Sequence, residues 1–418
     1  MCLRLRLFFL IPRVRNRILL LCEGFFFGKL NIMKFLKSRV VYILTLLLVA
    51  LFLRFFLLSL LEDTSDKVLS ISIASLILVI GAGFVLMGTA NVIEETTEVL
   101  QERTHLAGGL LQSLGTAFPD MVLGIVAALV SLKLQATDYT MAVNYAIIAA
   151  STTFGSNIYN VAHATWCLLR QNLANAKNKN FLMFPFLPMF GTVRPMQDHP
   201  TKPSMQELDT AIAVSTALTV LTTVVALSMV IFGHVATPPK NFGTDLYQLI
   251  RPAGLFVFAF GVAILFLFRK TQKVENPEKE IVAEEQYYRN KSNLVIWIHL
   301  ALSGAAILFA AESMVHAIQV ICVATNLPFV VAGILAGVIG CLGEMIVVHN
   351  YSVNPAGRIG DAVVGVAMDN IVTIIGASIV AIMGGIFLGG SSLILVFVII
   401  LSFNTVLIAQ ISKLKNAL

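Results

Sequence analysis

The chain has 418 residues, of which 57% are hydrophobic and 12% charged, and a formal net charge of +6. Soluble domains average about 25% charged residues, so a globular enzyme with one apolar tail is excluded and an all-α polytopic membrane protein is expected. The basic excess calls for no nucleic-acid partner, because Lys and Arg gather in loops between apolar runs, where the positive-inside bias places them.

Residues 1–39 form a basic, apolar extension without clear pattern. Met33 opens MKFLKSR ahead of a long apolar run, so Met33 is expected to be the true start. A basic amphipathic anchor is the alternative. The run that follows is too long for a signal-peptide core and has no A-x-A site, so residues 40–68 are read as a retained extra transmembrane helix. The five cysteines (Cys2, Cys22, Cys167, Cys322, Cys341) lack metal-ligand spacing and are read as packing residues without a disulfide framework.

A spanning helix needs about 20 apolar residues. Candidates fall at 40–61, 69–92, 107–131, 142–168, 208–233, 249–268, 293–316, 328–349, 361–384 and 391–412. With the N-terminus inside, the inner loops carry Arg170, Lys177, Lys179, Arg194 and Lys202, then Arg269, Lys270, Lys273, Lys279, Arg289 and Lys291. The outer loops are poor in both types. A multi-pass protein of the cell membrane with both termini cytoplasmic is therefore expected. Residues 69–268 read as a first half, 269–292 as a charged cytoplasmic linker and 293–418 as a second half. Between the fourth and fifth runs, FLMFPFLPMF (Phe181 to Phe190) is too short and too proline-rich to span, and is read as interfacial or re-entrant.

Two apolar segments resemble each other: AGGLLQSLGTAFPDM (Ala107 to Met121) and AGILAGVIGCLGEM (Ala332 to Met345). Each ends on a carboxylate, Asp120 or Glu344, followed by Met. A charged residue at mid-membrane costs about 2.5 to 3.5 kcal/mol on insertion scales and is functional by default. The charge bias runs the two segments in opposite directions, the arrangement of an inverted-repeat transporter with a midplane site. Pro119 has no N–H, so the Gly115 carbonyl loses its helical partner, and Gly115 and Thr116 loosen the same turn. Freed carbonyls beside a hydroxyl and a carboxylate suit Ca²⁺, Na⁺ or Mg²⁺. A proline kink with a hydrogen-bonded carboxylate is the alternative.

The following helix carries TTFGSNIYNVAHAT (Thr152 to Thr165), with Ser156 and Asn160 on one face. Its counterpart is VAMDNIVTIIGAS (Val366 to Ser378), where Asp369 and Thr373 share that spacing and Asn370 matches Asn157. Interhelical hydrogen bonding explains Ser and Asn equally well, and explains Asp369 less well. Glu312 is read as a neighbour of the ion path or as a carboxylate reaching for the interface. His163 is read as a core histidine, with a proton relay as the alternative, His349 and Asp361 as solvated, and Glu94, Glu95, Glu98 and Glu102 as a solvated face, with attraction of cations to the inside mouth as the alternative.

G-T-A-F-P-D followed by G-S-N-I-Y-N resembles the first repeat of the cation/Ca²⁺ exchanger superfamily, the sodium/calcium exchangers and their relatives, over roughly residues 69 to 384. The resemblance implies ten helices in two inverted sets of five. It also implies a cation site in which Asp120 is the first-repeat acid, Thr116 and Ala117 line the site, Ser156 and Asn160 contribute from the partner helix, and Glu344 is the second acid. Asp369 falls where the family has Ser, and Thr373 where it has Asn or Asp. Gly340 and Cys341 stand in place of Thr and Ser, and Gly343 in place of proline, although Gly340 and Gly343 could still permit unwinding. Three acids favour a divalent ion or a proton in the cycle.

The expectation is an antiporter that exchanges Ca²⁺ or a similar divalent cation for Na⁺ or H⁺. It would need no resident cofactor, and its partners would be inorganic cations and the bilayer; the oligomeric state stays open, a monomer being compatible. Relative to the family, one C-terminal helix is missing and one N-terminal helix added. The alternatives are a degenerate, non-transporting cation-binding relative and an intramembrane aspartyl hydrolase, the latter resting on the faint R-I-G-D sequence (Arg358 to Asp361).

Overall fold

The computed structural model describes residues 38–104, 110–199, 202–236, 238, 245–269, 287–354, 359–384 and 386–418. The N-terminal extension and most of the charged linker lie outside these residues. The described chain is helical nearly throughout. α1 is Arg39–Asp63. α2 joins Lys67–Ile80, a π-helical stretch Gly81–Leu86, and Met87–Thr104. Then follow α3 (Leu110–Leu134), α4 (Tyr139–Lys177), α5 (Met205–Phe232), α6 (Arg251–Arg269), α7 (Asn293–Thr325), α8 (Phe329–Val353), α9 (Ile359–Met383) and α10 (Gly390–Ala417). Each of the ten apolar runs overlaps one of these helices.

Local chemistry sets the boundaries. Asp66 caps α2 by accepting from the Val68 N–H at 2.9 Å, and Asp138 caps α4 by accepting from Met141 at 2.9 Å. Ser204 and Glu207 form a reciprocal capping box at the start of α5, satisfying two of the donors that every helix start leaves unpaired. Asn178 and Asn326, both left-handed, end α4 and α7, a conformation asparagine tolerates better than most residues.

Eight helices are long and apolar enough to cross a membrane; α4 and α8 do not reach that measure over their described residues. The chain is thus a multi-pass helical membrane protein. Burial separates centre from perimeter: 83% of the apolar window of α9 and 61% of that of α3 are buried, against 28% for α1 and α6. α3, α4, α8 and α9 form the centre. α4 packs on α8 and α3, and α3 packs on α9. α5, α6 and α10 flank α4 and α9, while α2 packs on α7. The extra helix α1 also packs on α7, where Arg54 Nε meets Glu312 Oε2 at 2.7 Å. Glu312 is thus the ion-pair partner of Arg54 on α1. Arg54 sits in a π-helical turn, Leu53–Leu57, a distortion that re-aims side chains.

Each end of the bundle carries one small sheet. At the end where α4 stops, β1 (Phe181–Phe184) and β2 (Leu187–Val193) form an antiparallel hairpin. This corrects the re-entrant reading of FLMFPFLPMF. Pro185 and Pro188 do block a helix, but the chain reverses at Phe186 (φ +69°) and its backbone groups pair across the hairpin. At the other end, β3 (Leu246–Gln248) pairs antiparallel with β4 (Phe387–Gly389), joining the α5–α6 and α9–α10 connections.

Candidate cation site

α3 and α8 run unbroken through Pro119 and through Gly340 and Gly343. The unwinding expected there does not occur: one lost hydrogen bond leaves the neighbouring bonds of the turn intact, and tight packing holds the backbone. A Cβ on Gly337 would lie 2.5 Å from the Ser156 nitrogen and 2.8 Å from the Thr152 carbonyl, and one on Gly155 would lie 2.7 Å from the Ile334 Cα. α4 and α8 thus touch backbone to backbone, the contact that small residues permit between membrane helices. Gly340 does the same for α3, since a Cβ there would overlap Asp120 Oδ1.

This packing gathers the polar residues of both halves. Asp120 is 0% exposed, Glu344 3% and Asp369 5%, and Ser156, Asn157, Asn160, Asn370 and Thr373 are equally buried. Asn160 Nδ2 donates to Glu344 Oε2 across the α4–α8 contact and to Asn370 Oδ1 at 3.2 Å. Asp120 and Glu344 each lie within electrostatic reach of Asp369, and Glu344 also of Asp120. Ser156 adjoins Asp120, but its hydroxyl proton goes to the Thr153 carbonyl at 2.8 Å. Thr373 likewise donates to the Asp369 carbonyl at 2.8 Å. Both hydroxyl oxygens keep lone pairs.

Several buried atoms of this cluster find no hydrogen-bond partner among the described residues: both carboxylate oxygens of Asp120, Glu344 Oε1, Asn160 Oδ1, both side-chain polar atoms of Asn157, and Asn370 Nδ2. An unpaired polar atom in a dry interior costs about 1–3 kcal/mol, and native proteins rarely leave so many together. The set is dominated by hard oxygens, the ligands of Na⁺ and Ca²⁺. Among the described residues, no three His, Cys, Asp or Glu side chains close on one point as a metal cage. The unpartnered oxygens include the side-chain amide oxygens of Asn157 and Asn160 beside those of the carboxylates.

The predicted residues fare unequally. Asp120, Glu344, Asp369, Ser156 and Asn160 come together, and Thr373 lies buried one turn along α9 from Asp369. Ala117 is fully buried in the core. The side chains of residues 110–116, Thr116 among them, lie outside the described part, as does that of Asp361. Asn370, matched in the sequence with Asn157, joins the cluster by accepting from Asn160, while Asn157 lies buried three residues before Asn160 on α4 with both side-chain polar atoms unpartnered among the described residues; the repeated asparagine in G-S-N-I and M-D-N-I is the signal. Cys341 packs beside Asp120 and Glu344. His349 is part-buried rather than freely solvated: its Nε2 donates to the Phe190 carbonyl at 2.8 Å, and its ring stacks on His163. Glu95 pairs with Arg39 rather than facing solvent alone, and the side chains of Glu94, Glu98 and Glu102 lie outside the described part.

No protein-family model and no curated protein matches the sequence. Among solved structures, the chain is similar to the H⁺/Ca²⁺ exchanger CAX, at 13% identity and a TM-score of 0.49 over 87% of this chain and 90% of that one. It is similar to native YfkE at 13% identity and 0.46 over 90% and 98%. It is also similar to the sodium-calcium exchanger NCX_Mj soaked with Na⁺ and Sr²⁺, at 13% and 0.43 over 80% and 90%.

Proposed function

We propose that the chain is a secondary antiporter, not an enzyme, and that it exchanges Ca²⁺ or a similar divalent cation for Na⁺ or H⁺ at the cluster between α3, α4, α8 and α9. One observation carries this reading: Asp120 and Glu344, from the two similar segments, lie buried in one cluster with carboxylate oxygens that no described group satisfies. A cation entering there gains Asp120, Glu344 Oε1 and the amide oxygens of Asn157 and Asn160 as ligands. Ser156 and Thr373 add hydroxyl oxygens, and Asp369 adds charge. Buried carboxylates this close are unfavourable without a counter-charge, so departure of the divalent ion calls for Na⁺ or H⁺ in its place. That exchange requirement is antiport. α3 and α8, related by sequence, would then expose the cluster alternately to the two sides.

The test is ⁴⁵Ca²⁺ uptake into proteoliposomes under an outward Na⁺ gradient in one set and an outward H⁺ gradient in another. Uptake under either gradient, lost in Asp120→Asn and in Glu344→Gln, supports the reading and names the coupling ion. Wild-type flux in either variant sinks the site. Ca²⁺ binding without uptake under either gradient would favour the non-transporting alternative.

A further inference from the structure

Beyond the cation cluster, α4 and α8 carry a second pair of titratable groups that face each other. His163 lies three residues past Asn160, and His349 five past Glu344. Their rings stack with centroids 5.8 Å apart and planes 18° apart. Phe184 of β1 stacks on both, at 6.1 Å from His163 and 6.0 Å from His349. Phe190 of β2 meets His349 edge-on at 6.1 Å, and its carbonyl accepts from His349 Nε2 at 2.8 Å. On the other side, His163 Nε2 faces Cys167 Sγ at 3.6 Å, and the His163 ring also faces the Met345 carbonyl. The two imidazoles therefore tie three elements at one point: both site-bearing helices and the hairpin beyond them.

The surroundings define what a proton would do there. The hairpin strands, FLMF and LPMFGTV, hold no charged residue. On α4, Arg170 is engaged elsewhere, donating to the Leu182 carbonyl and lying over the Trp166 and Phe181 rings. On α8, His349 is the titratable group that bears on His163. Neutral rings suit this arrangement, because each has a carbonyl to donate to and an aromatic face to lie on. Two imidazolium rings at this spacing repel, and among the described residues no carboxylate is shown paired with either ring.

We propose that His163 and His349 form a proton-sensitive latch that holds the β1–β2 hairpin over one end of the cation cluster and releases it on acidification. This rests on the reading of that cluster as the cation site. Once released into water each histidine titrates near pH 6.5, and because the released state binds protons more readily than the packed one, acid below that pH favours release. Release frees β1–β2 from α4 and α8 and opens a path along His163 towards Glu344.

Cys341 gives a native probe, because it is buried beside Asp120 and Glu344. Purified protein in nanodiscs is alkylated with N-ethylmaleimide at pH 7.5 and 5.5. Modification of Cys341 is read by peptide mass spectrometry and normalised to denatured protein at each pH, which removes the intrinsic loss of thiolate in acid. The expected result is a normalised rate about tenfold higher at pH 5.5, a span that crosses the ordinary histidine range. His163→Gln and His349→Gln should abolish that rise, and Phe184→Ala should label fast at both pH values. Equal normalised rates in the wild type overturn the proposal, as does a rise retained in both histidine variants. A Phe184→Ala protein that labels like the wild type removes the hairpin from the latch. The wild-type comparison stands even where a variant fails to fold. Labelling requires no transport, so loss of the antiport reading and loss of the latch give separate results.

Discussion

The two halves hold their carboxylates differently. Asp120, on α3, has neither oxygen bonded to a described group, whereas Glu344, on α8, gives one oxygen to Asn160 of the opposite half. The first half keeps the fuller motif, with Pro119 ahead of its acid and Ser156 and Asn160 on the next helix. The second half has Gly343 in place of the proline and Asp369 in place of a hydroxyl. The degraded half is thus repaired from across the interface: an amide of α4 orients the acid of α8. The support runs one way: Asn160 of α4 holds Glu344, and no described group of the second half bonds Asp120.

The largest effect should come from removing either charge. Asp120→Asn and Glu344→Gln are each expected to lower divalent cation flux by about a hundredfold or more, the loss that about 2.7 kcal/mol of interaction produces. Equal residual flux in both variants and the wild type would break the comparison. The apo proteins should separate the two halves. Neutralising a buried, unpaired carboxylate stabilises a protein where its charge has no compensation. Without divalent cation, Asp120→Asn should therefore raise the melting temperature more than Glu344→Gln, whose parent already has Asn160. A larger rise for Glu344→Gln would reverse the assignment of which acid is the vacant one.

Next in size is Gly340→Ala. Its methyl group would overlap Asp120 Oδ1 and come within 3.3 Å of the Asp120 Cα, so α8 must move off α3. Overpacking of this kind costs about 1–3 kcal/mol. Lowered thermal stability together with lost Ca²⁺ binding is expected, and a fully active Gly340→Ala protein would show that the two carboxylates need no such proximity. Asn160→Ala should weaken Ca²⁺ binding about tenfold, equivalent to about 1.4 kcal/mol, because it removes both a ligand oxygen and the tether on Glu344. Asn157→Ala removes a ligand without a tether and should cost less; isothermal titration distinguishes the two. The smallest effect on transport should come from the perimeter. Glu312→Gln strips Arg54 of its partner and should lower the melting temperature while leaving Ca²⁺ affinity unchanged. The Arg54→Leu, Glu312→Leu double variant should recover part of that loss, since breaking one side of such a pair is worse than removing both.

Much of this was legible in the sequence because membrane helices announce themselves by composition. Each of the ten apolar runs overlaps a described helix, and a carboxylate inside an apolar run is rare enough to mark the cluster. The hairpin was missed because FLMFPFLPMF has the apolarity of a membrane segment and reveals its strand pairing only through the turn at Phe186. The Arg54–Glu312 pair was missed because its members are 258 residues apart, and neither segment indicates which helix it faces. The placement of His349 was misread for a similar reason. Its position at a helix end pointed to solvent, while Phe184, Phe190 and His163, which cover it, come from other elements. Asn157 and Asn370 show the opposite case: the repeat contained the signal, but asparagine is so common at helix contacts that its unpaired state emerges only from the packing.

The central claim is that Asp120 and Glu344 serve one ion. Equilibrium Ca²⁺ binding to the purified wild type, Asp120→Asn and Glu344→Gln proteins tests it most directly, with folding of each checked by its melting temperature. The account predicts saturable binding by the wild type and loss of the same site in both folded variants. Two independent sites, each variant keeping one at wild-type affinity, would contradict it.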